Sequence, residues 1–366
     1  MDSTTTTMDF DLTATQRVVA DVATSVLDRD LGWDALVSGG VTALPVPERL
    51  GGDGVGLPEV ATVLTEVGRH GAITPALATL GFGVVPLVDL ASEEQQDRFL
   101  AGVAKGGVLT AALNEPGAAL PDRPATTFGD GRLSGTKVAV PYAEQADWVI
   151  VTADSAVVVV SPKADGVRLV RTPTSNGSDE YTVTFDGVAV GDSDVLAGAE
   201  TNGAHRVNQL ALAAMGAYVD GLVAGALRLT ADYVANRKQF GKPLSTFQTV
   251  AAQLSEIYIA SRTIDLAAKS VVWRLSEDLD ADDDLDVLGY WITSQAPPVM
   301  QLCHHLHGGM GMDITYPMHR YYSTIKDLSR LLGGPSHRLD LVAIASAAEP
   351  GAAGRHPDEL VGAQCS

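Results

Sequence analysis

The densest chemistry in this 366-residue chain lies in the stretch YVANRKQFGKPLSTFQTVAAQ, from Tyr233 to Gln253. Arg237 offers a planar fork of donors, the group that pairs bidentately with a phosphate or a carboxylate. Gln248 stands where a second helical pattern opens, and helix N-termini present free N–H groups to anions. Pro243 stops the preceding helix, because it fixes φ and lacks an N–H. Ser245 and Gln248 have the S-x-x-Q spacing of a capping box. The segment therefore reads in two ways. It is a capped helix–turn–helix corner with a solvated Arg237–Lys238 pair, or it is a site for an anion, and spacing leaves both open.

A second group lies downstream: His304, His305, His307, Gly308 and Gly309, with His319 beyond. Zinc helices place His at i and i+4 around an acid. Here His304 and His307 are three apart with no acid between, so no metal site is expected. Gly308-Gly309 can end a helix or let a cofactor approach the backbone. Cys303, on an apolar pattern, reads as core. The acidic run 277–284 lacks the Gly and terminal Glu of an EF-hand loop and reads as a solvated linker that caps a helix. No G-x-G-x-x-G follows a strand, so a Rossmann site is not expected.

The elements that must carry these groups follow from periodicity. Residues 8–104 are mostly of helical period, broken by the Pro/Gly loop 44–59. Ser92 and Gln95 predict a capped helix start. Between 106 and 197 short β-type runs alternate with turn residues, which predicts a small barrel or sandwich. AVVVVS, 156–161, is apolar on both faces and reads as a central strand. The helical period then returns near 206–237, 245–277, 285–307 and 317–331. The expected organisation is an N-terminal helical domain (1–105), a β domain (106–200), a C-terminal four-helix bundle (201–346) and a disordered tail (347–366).

Composition bounds the function. Hydrophobic residues are 46% of the chain, enough for a large core, and the net charge is −20. That charge argues against nucleic acid or an anionic membrane as partner, and an anionic ligand must be held by local Arg and Lys. Two cysteines, Cys303 and Cys365, with no disulfide pattern fit a reducing, cytoplasmic location. The first residues lack the basic and apolar regions of a signal peptide. The apolar run 210–229 contains Asp220 and Arg228 and reads as a buried helix, not a membrane span.

Two of these stretches resemble a known family. R-K-Q-F-G-K-P-L-x-x-F-Q-x-V, from Arg237, resembles the signature turn of acyl-CoA dehydrogenases. His305-Leu306-His307-Gly308-Gly309-Met310-Gly311 resembles that family's Q-x-x-G-G-x-G, with His305 in place of Gln. The loop 44–59 is similar to its P-E-x-x-G-G-x-G segment, and the likeness covers nearly the whole chain. The resemblance implies an α+β, mainly α, acyl-CoA dehydrogenase fold, an acyl-CoA substrate and an electron-transfer acceptor. It also implies FAD, with Arg237, Gln239, Phe240, Gln248, His305, Gly308 and Gly309 reaching the cofactor of a neighbouring subunit.

The departures are as specific. The family keeps a carboxylate base either in a Y-E-G-T-like segment, here Ser329-Arg330-Leu331-Leu332-Gly333-Gly334, or on the helix before the signature turn, here around Leu210 to Leu212. Neither stretch has an acid. Asp220 is the one carboxylate in the apolar part of that helix, about 15 Å along it from Leu210. The family's T-E-P-x-A-G-S-D loop reads Asn114-Glu115-Pro116-Gly117-Ala118-Ala119-Leu120-Pro121. Its K-x-[WF]-I-[ST]-N strand reads Lys137-Val138-Ala139-Val140-Pro141-Tyr142. The retained half of the flavin site is what a subunit offers its neighbour, and the lost half is what it uses itself. HGGMGMDITYPMHRYY, with His319-Arg320-Tyr321, resembles the non-catalytic subunit of heteromeric dehydrogenases that shorten steroid side chains as CoA thioesters. This implies a homologous catalytic partner in an α2β2 heterotetramer. The alternatives are a self-sufficient dehydrogenase with a relocated base, Asp220, and a flavin-free scaffolding homologue.

Overall fold

The computed structural model describes residues 10–348. Helices α1 (Ala14–Leu27), α2 (Trp33–Ser38), α3 (Leu57–Arg69), α4 (Leu77–Leu90) and α5 (Glu93–Phe99) form the N-terminal part. The first part of α4, Leu77–Val84, is wound as a π-helix. Ser92 and Gln95 form the reciprocal cap at the start of α5, as their spacing predicts.

The β region holds two sheets. One has the order β1 (Leu109–Ala112), β4 (Trp148–Thr152), β5 (Val157–Val160), and the other the order β2 (Thr127–Gly129), β3 (Arg132–Pro141), β7 (Glu180–Ala189), β6 (Val167–Thr172). They enclose a core of their own that includes Leu133, Val151, Val158 and Phe185. The sequence expectation for AVVVVS needs correction: β5 is the edge strand and β4 the central one. The chain after β7 covers that edge, where Leu196 N–H donates to Val157 O at 2.9 Å. All four residues of β5 are therefore buried although the strand has one ladder partner.

The C-terminal part comprises α6 (Gly203–Asn236), α7 (Gln248–Ser276), α8 (Asp282–Ser294), α9 (Ala296–His307), α10 (Met318–Leu331) and α11 (Gly334–Ala348). The single helix expected over 285–307 is two, because Pro297 and Pro298 open a new helix at α9. No helix was expected where α11 lies. The tail expected over 347–366 falls outside the described residues, apart from the two that end α11. Helix α6 is apolar and long enough to cross a membrane, yet 89% of its most apolar window is buried inside the fold. It crosses α3 at paired glycines. A Cβ on Gly68 would lie 2.2 Å from Tyr218 O, and one on Gly221 2.0 Å from Thr65 O. Only backbones without side chains can approach so closely. One hydrophobic cluster consequently runs from α1 through α6 to α10.

Candidate functional site: an open corner and a closed cleft

Helix α6 ends at Asn236, and the signature residues form a two-residue β-hairpin, β8 (Lys238–Gln239) and β9 (Lys242–Pro243). Its tip is Phe240-Gly241, with φ of 52° and 80°. Positive φ at both central residues is what a type I′ turn requires. Phe240 is a bulky residue in a region that Gly and Asn favour, and it is 92% exposed. The hairpin folds back on Phe247, whose ring lies 6.2 Å from Phe240 and 4.4 Å from Lys242 Nζ. The capping box expected at Ser245 and Gln248 does not form. Ser245 sits in a 3₁₀ turn, Leu244–Thr246, and α7 begins at Gln248 with Phe247 as an N-cap that has no side-chain hydrogen bond. The tight hairpin leaves Ser245 too early to reach the first free N–H groups.

Arg237, Gln239 and Gln248 are all exposed. Their side chains make no hydrogen bond or ion pair with the described residues. At the end of α9, His307 turns inward. Its Nδ1–H donates to Cys303 O at 2.8 Å and its ring stacks on Tyr233 at 4.6 Å. Burial pushes its pKa down, so it stays neutral. That anchoring leaves His305 exposed. Gly308 follows with φ 56°, and a Cβ on Gly308 or Gly309 would meet nothing within 4 Å. Beyond them Met310, Met312 and Ile314 are exposed, at 47%, 80% and 74%, as are Tyr258, Ile259 and Leu266 along α7. An apolar surface of this kind marks a contact with another molecule. No group of three or more His, Cys, Asp or Glu converges as a metal site among the described residues.

The cleft between α4, the β region, α6 and α10 has the opposite character. Asp327 on α10 accepts from the backbone N–H of Ser175 and of Asn176, both at 2.9 Å. Asn176 Nδ2 donates to Thr324 Oγ1 at 3.3 Å, and Arg330 pairs with Glu180 at 2.5 Å. Asn114 donates to Leu331 O at 2.7 Å while its Oδ1 accepts from Leu120 N–H. These bonds staple the β region to α10 and leave a space of about 70 Å³ lined by Phe82, Tyr142 and Tyr218. Ligand sites of drug size start near about 300 Å³, so this space is well short of one. Burial, then the Asp179 charge, pushes the Tyr142 phenol up to about 12. The two carboxylates lining this space, Glu180 and Asp327, are both committed. Behind it, Lys137 Nζ is wholly buried and pairs with Glu115 at 2.9 Å. Burial raises the Glu115 pKa, but hydrogen bonds from Thr126, Ala125 and Lys137 together outweigh that and hold it at about 2.

Asp220 lies elsewhere. It is two positions on from Tyr218, about 200° around the helix. Tyr218 lines the cleft, whereas Asp220 lines a cavity against α1, α3 and α7. The spacing of residues gave no sign of the staples made by Asp327 and Asn114, because both join segments remote in sequence.

Comparison with known proteins places this geometry in context. Residues 11–107 match the family description "Acyl-CoA dehydrogenase, N-terminal domain", and residues 207–345 match "Acyl-CoA dehydrogenase, C-terminal domain". The chain is 83% identical over 335 residues to acyl-CoA dehydrogenase FadE28 of Mycobacterium tuberculosis, covering 92% of this chain and 98% of that protein. Among solved structures it resembles the ChsE4-ChsE5 complex of the same organism, with 28% identity and a TM-score of 0.86 over 94% of this chain and 100% of that one. The Tcur3481-Tcur3483 steroid ACAD G363A variant is 31% identical, with a TM-score of 0.82 over 91% and 99%.

Proposed function

The chain belongs to the acyl-CoA dehydrogenase family, and we propose that it is the non-catalytic subunit of a heteromeric, FAD-dependent enzyme of that family. One observation carries this reading: the same chain has an open, unpaired cationic corner at the end of α6 and a cleft that is stapled shut and has no free carboxylate. FAD, when bound, supplies the hydride acceptor for α,β-dehydrogenation of an acyl-CoA thioester. Arg237 is the group that would hold a phosphate of that cofactor, with Gln239, Gln248 and His305 beside it. Gly308 and Gly309 keep the approach clear, and Phe240 and the exposed methionines cover the join between subunits. The thioester's α-proton must be taken by a carboxylate of a homologous partner, because a base has to lie within hydrogen-bonding reach of the proton it removes.

Two solved relatives, ChsE4-ChsE5 and Tcur3481-Tcur3483, carry paired names, one of them called a complex and the other a steroid ACAD. This supports a heteromeric assembly and a steroid-type substrate; we take the assembly to be an α2β2 heterotetramer in the cytoplasm that acts on a steroid side-chain CoA thioester and passes electrons to a separate acceptor. Flavin absorbance tests the reading. Purified alone, the chain should carry little FAD, and co-purified with its catalytic homologue the pair should carry about one. A fully yellow, active homo-oligomer would overturn it, and a colourless mixed complex would favour a scaffolding role.

A further inference from the structure

We propose that the cavity between α1, α3, α6 and α7 binds a small organic ammonium ion, with Asp220 as its counter-ion and Trp273 as its aromatic wall. The cavity measures about 340 Å³, within the range of small-molecule sites. Five carboxylates are buried among the described residues: Glu66, Glu115, Glu180, Asp220 and Asp265. Four have a cation. Glu66 pairs with Arg69 at 2.8 Å, Glu115 with Lys137 at 2.9 Å, and Glu180 with Arg330 at 2.5 Å. Asp265 pairs with both Arg262, at 2.7 Å, and Lys269, at 2.9 Å. Asp220, only 7% exposed, makes no hydrogen bond or ion pair with the described residues. A buried carboxylate without a partner is costly.

The cations bordering the cavity, Arg69 and Lys269, pair with Glu66 and Asp265 and make no ion pair with Asp220. Burial, then the Asp265 charge, pushes the Asp220 carboxyl up to about 7, despite Arg69, Lys269 and Arg262. The lining also includes Asp11, Glu59 and Glu277, so six carboxylates face two cations. That excess of negative charge favours a cationic ligand. The rest of the wall mixes polar groups, Gln16 and Thr62 among them, with an apolar surface from Phe10, Ala61, Ala217, Ala268 and Val272. It suits an apolar body attached to the charge, and no three of the carboxylates converge as a metal ion would require among the described residues. Trp273 adds an aromatic face of the kind that attracts ammonium groups.

Calorimetric titration of the full chain, in the assembly in which it purifies, tests this with 2-phenylethylammonium and the neutral 2-phenylethanol. The ammonium ion should bind saturably at one site per chain, and the alcohol about tenfold more weakly or worse, since it lacks the charge. Asp220→Asn should lower the ammonium affinity about tenfold or more, and Trp273→Leu about threefold. Equal binding of the alcohol, undiminished binding by Asp220→Asn, or no saturable binding up to about 10 mM would each overturn the assignment. Should Asp220→Asn fail to fold, Trp273→Leu and the alcohol still decide. Helix α6 separates this cavity from the cleft, so neither outcome bears on the flavin assignment.

Discussion

At the corner, Arg237, Gln239 and Gln248 face solvent with their polar groups unused, on a hairpin whose tip holds Phe240 at φ 52°. At the cleft, Asn114, Asp327 and Arg330 spend theirs on the protein's own backbone and on Glu180. In the first region polar groups have no partner among the described residues, and the proposed function gives them one in another molecule. In the second they hold the walls together. A polar side chain that stabilises the fold is one whose partner is already present, and a polar side chain that binds is one whose partner is missing.

Variants can break or sharpen this contrast. Lys137→Ala strikes the structural region hardest, because it leaves the Glu115 carboxylate buried and unpaired, at a cost of about 3–5 kcal/mol. Chemical denaturation should report that loss, and a change below about 1 kcal/mol would mean that the pair is not a buried staple. Asp220→Asn, on the far side of α6, should act in the opposite direction. The carboxyl has its pKa raised from 3.8 to about 7 by burial and Asp265. The folded chain therefore binds the extra proton between those values, and stability falls as pH rises through the window. The substitution should stabilise the protein by on the order of 3 kcal/mol at pH 8 and by little at pH 4, without added amine. Equal effects at the two pH values would contradict the unpaired state.

Arg237→Ala should show the reverse pattern of Lys137→Ala. Thermal stability should be nearly unchanged, while flavin affinity of the mixed complex falls about tenfold or more, the worth of charged hydrogen bonds. Unchanged flavin retention in gel filtration would count against the corner as a phosphate site. The smallest effects compare two serines with the same S-x-x-Q spacing. Ser92→Ala should cost about 1 kcal/mol, because Ser92 caps α5. Ser245→Ala should stay within about 0.5 kcal/mol, because α7 starts beyond it.

Those serines also show what could be read before the fold was known. Periodicity located most helices, and the strand runs fell where β1, β3, β4, β5, β6 and β7 lie, because both depend on local pattern. Ser245 misled because the same spacing fits a 3₁₀ turn when a hairpin precedes it. AVVVVS was misplaced because burial on two faces does not distinguish a central strand from an edge covered by a later segment such as Val195-Leu196. The turn after α6, the start of α7 and the end of α9 were legible because Arg237, Gln248 and Gly308-Gly309 belong to short motifs. The staples were not, since Asp327 meets Ser175 and Asn176, about 150 residues away, through contacts that only tertiary structure creates.

The most direct test is a structure of the mixed complex, purified with its flavin, in which each cofactor is counted and located. The expected result is one FAD per pair, seated in the partner's cleft and reached by Arg237 and the backbone of Gly308-Gly309. A flavin lying in this chain's own cleft, between Tyr142 and Asp327, would contradict the division of labour between the two regions.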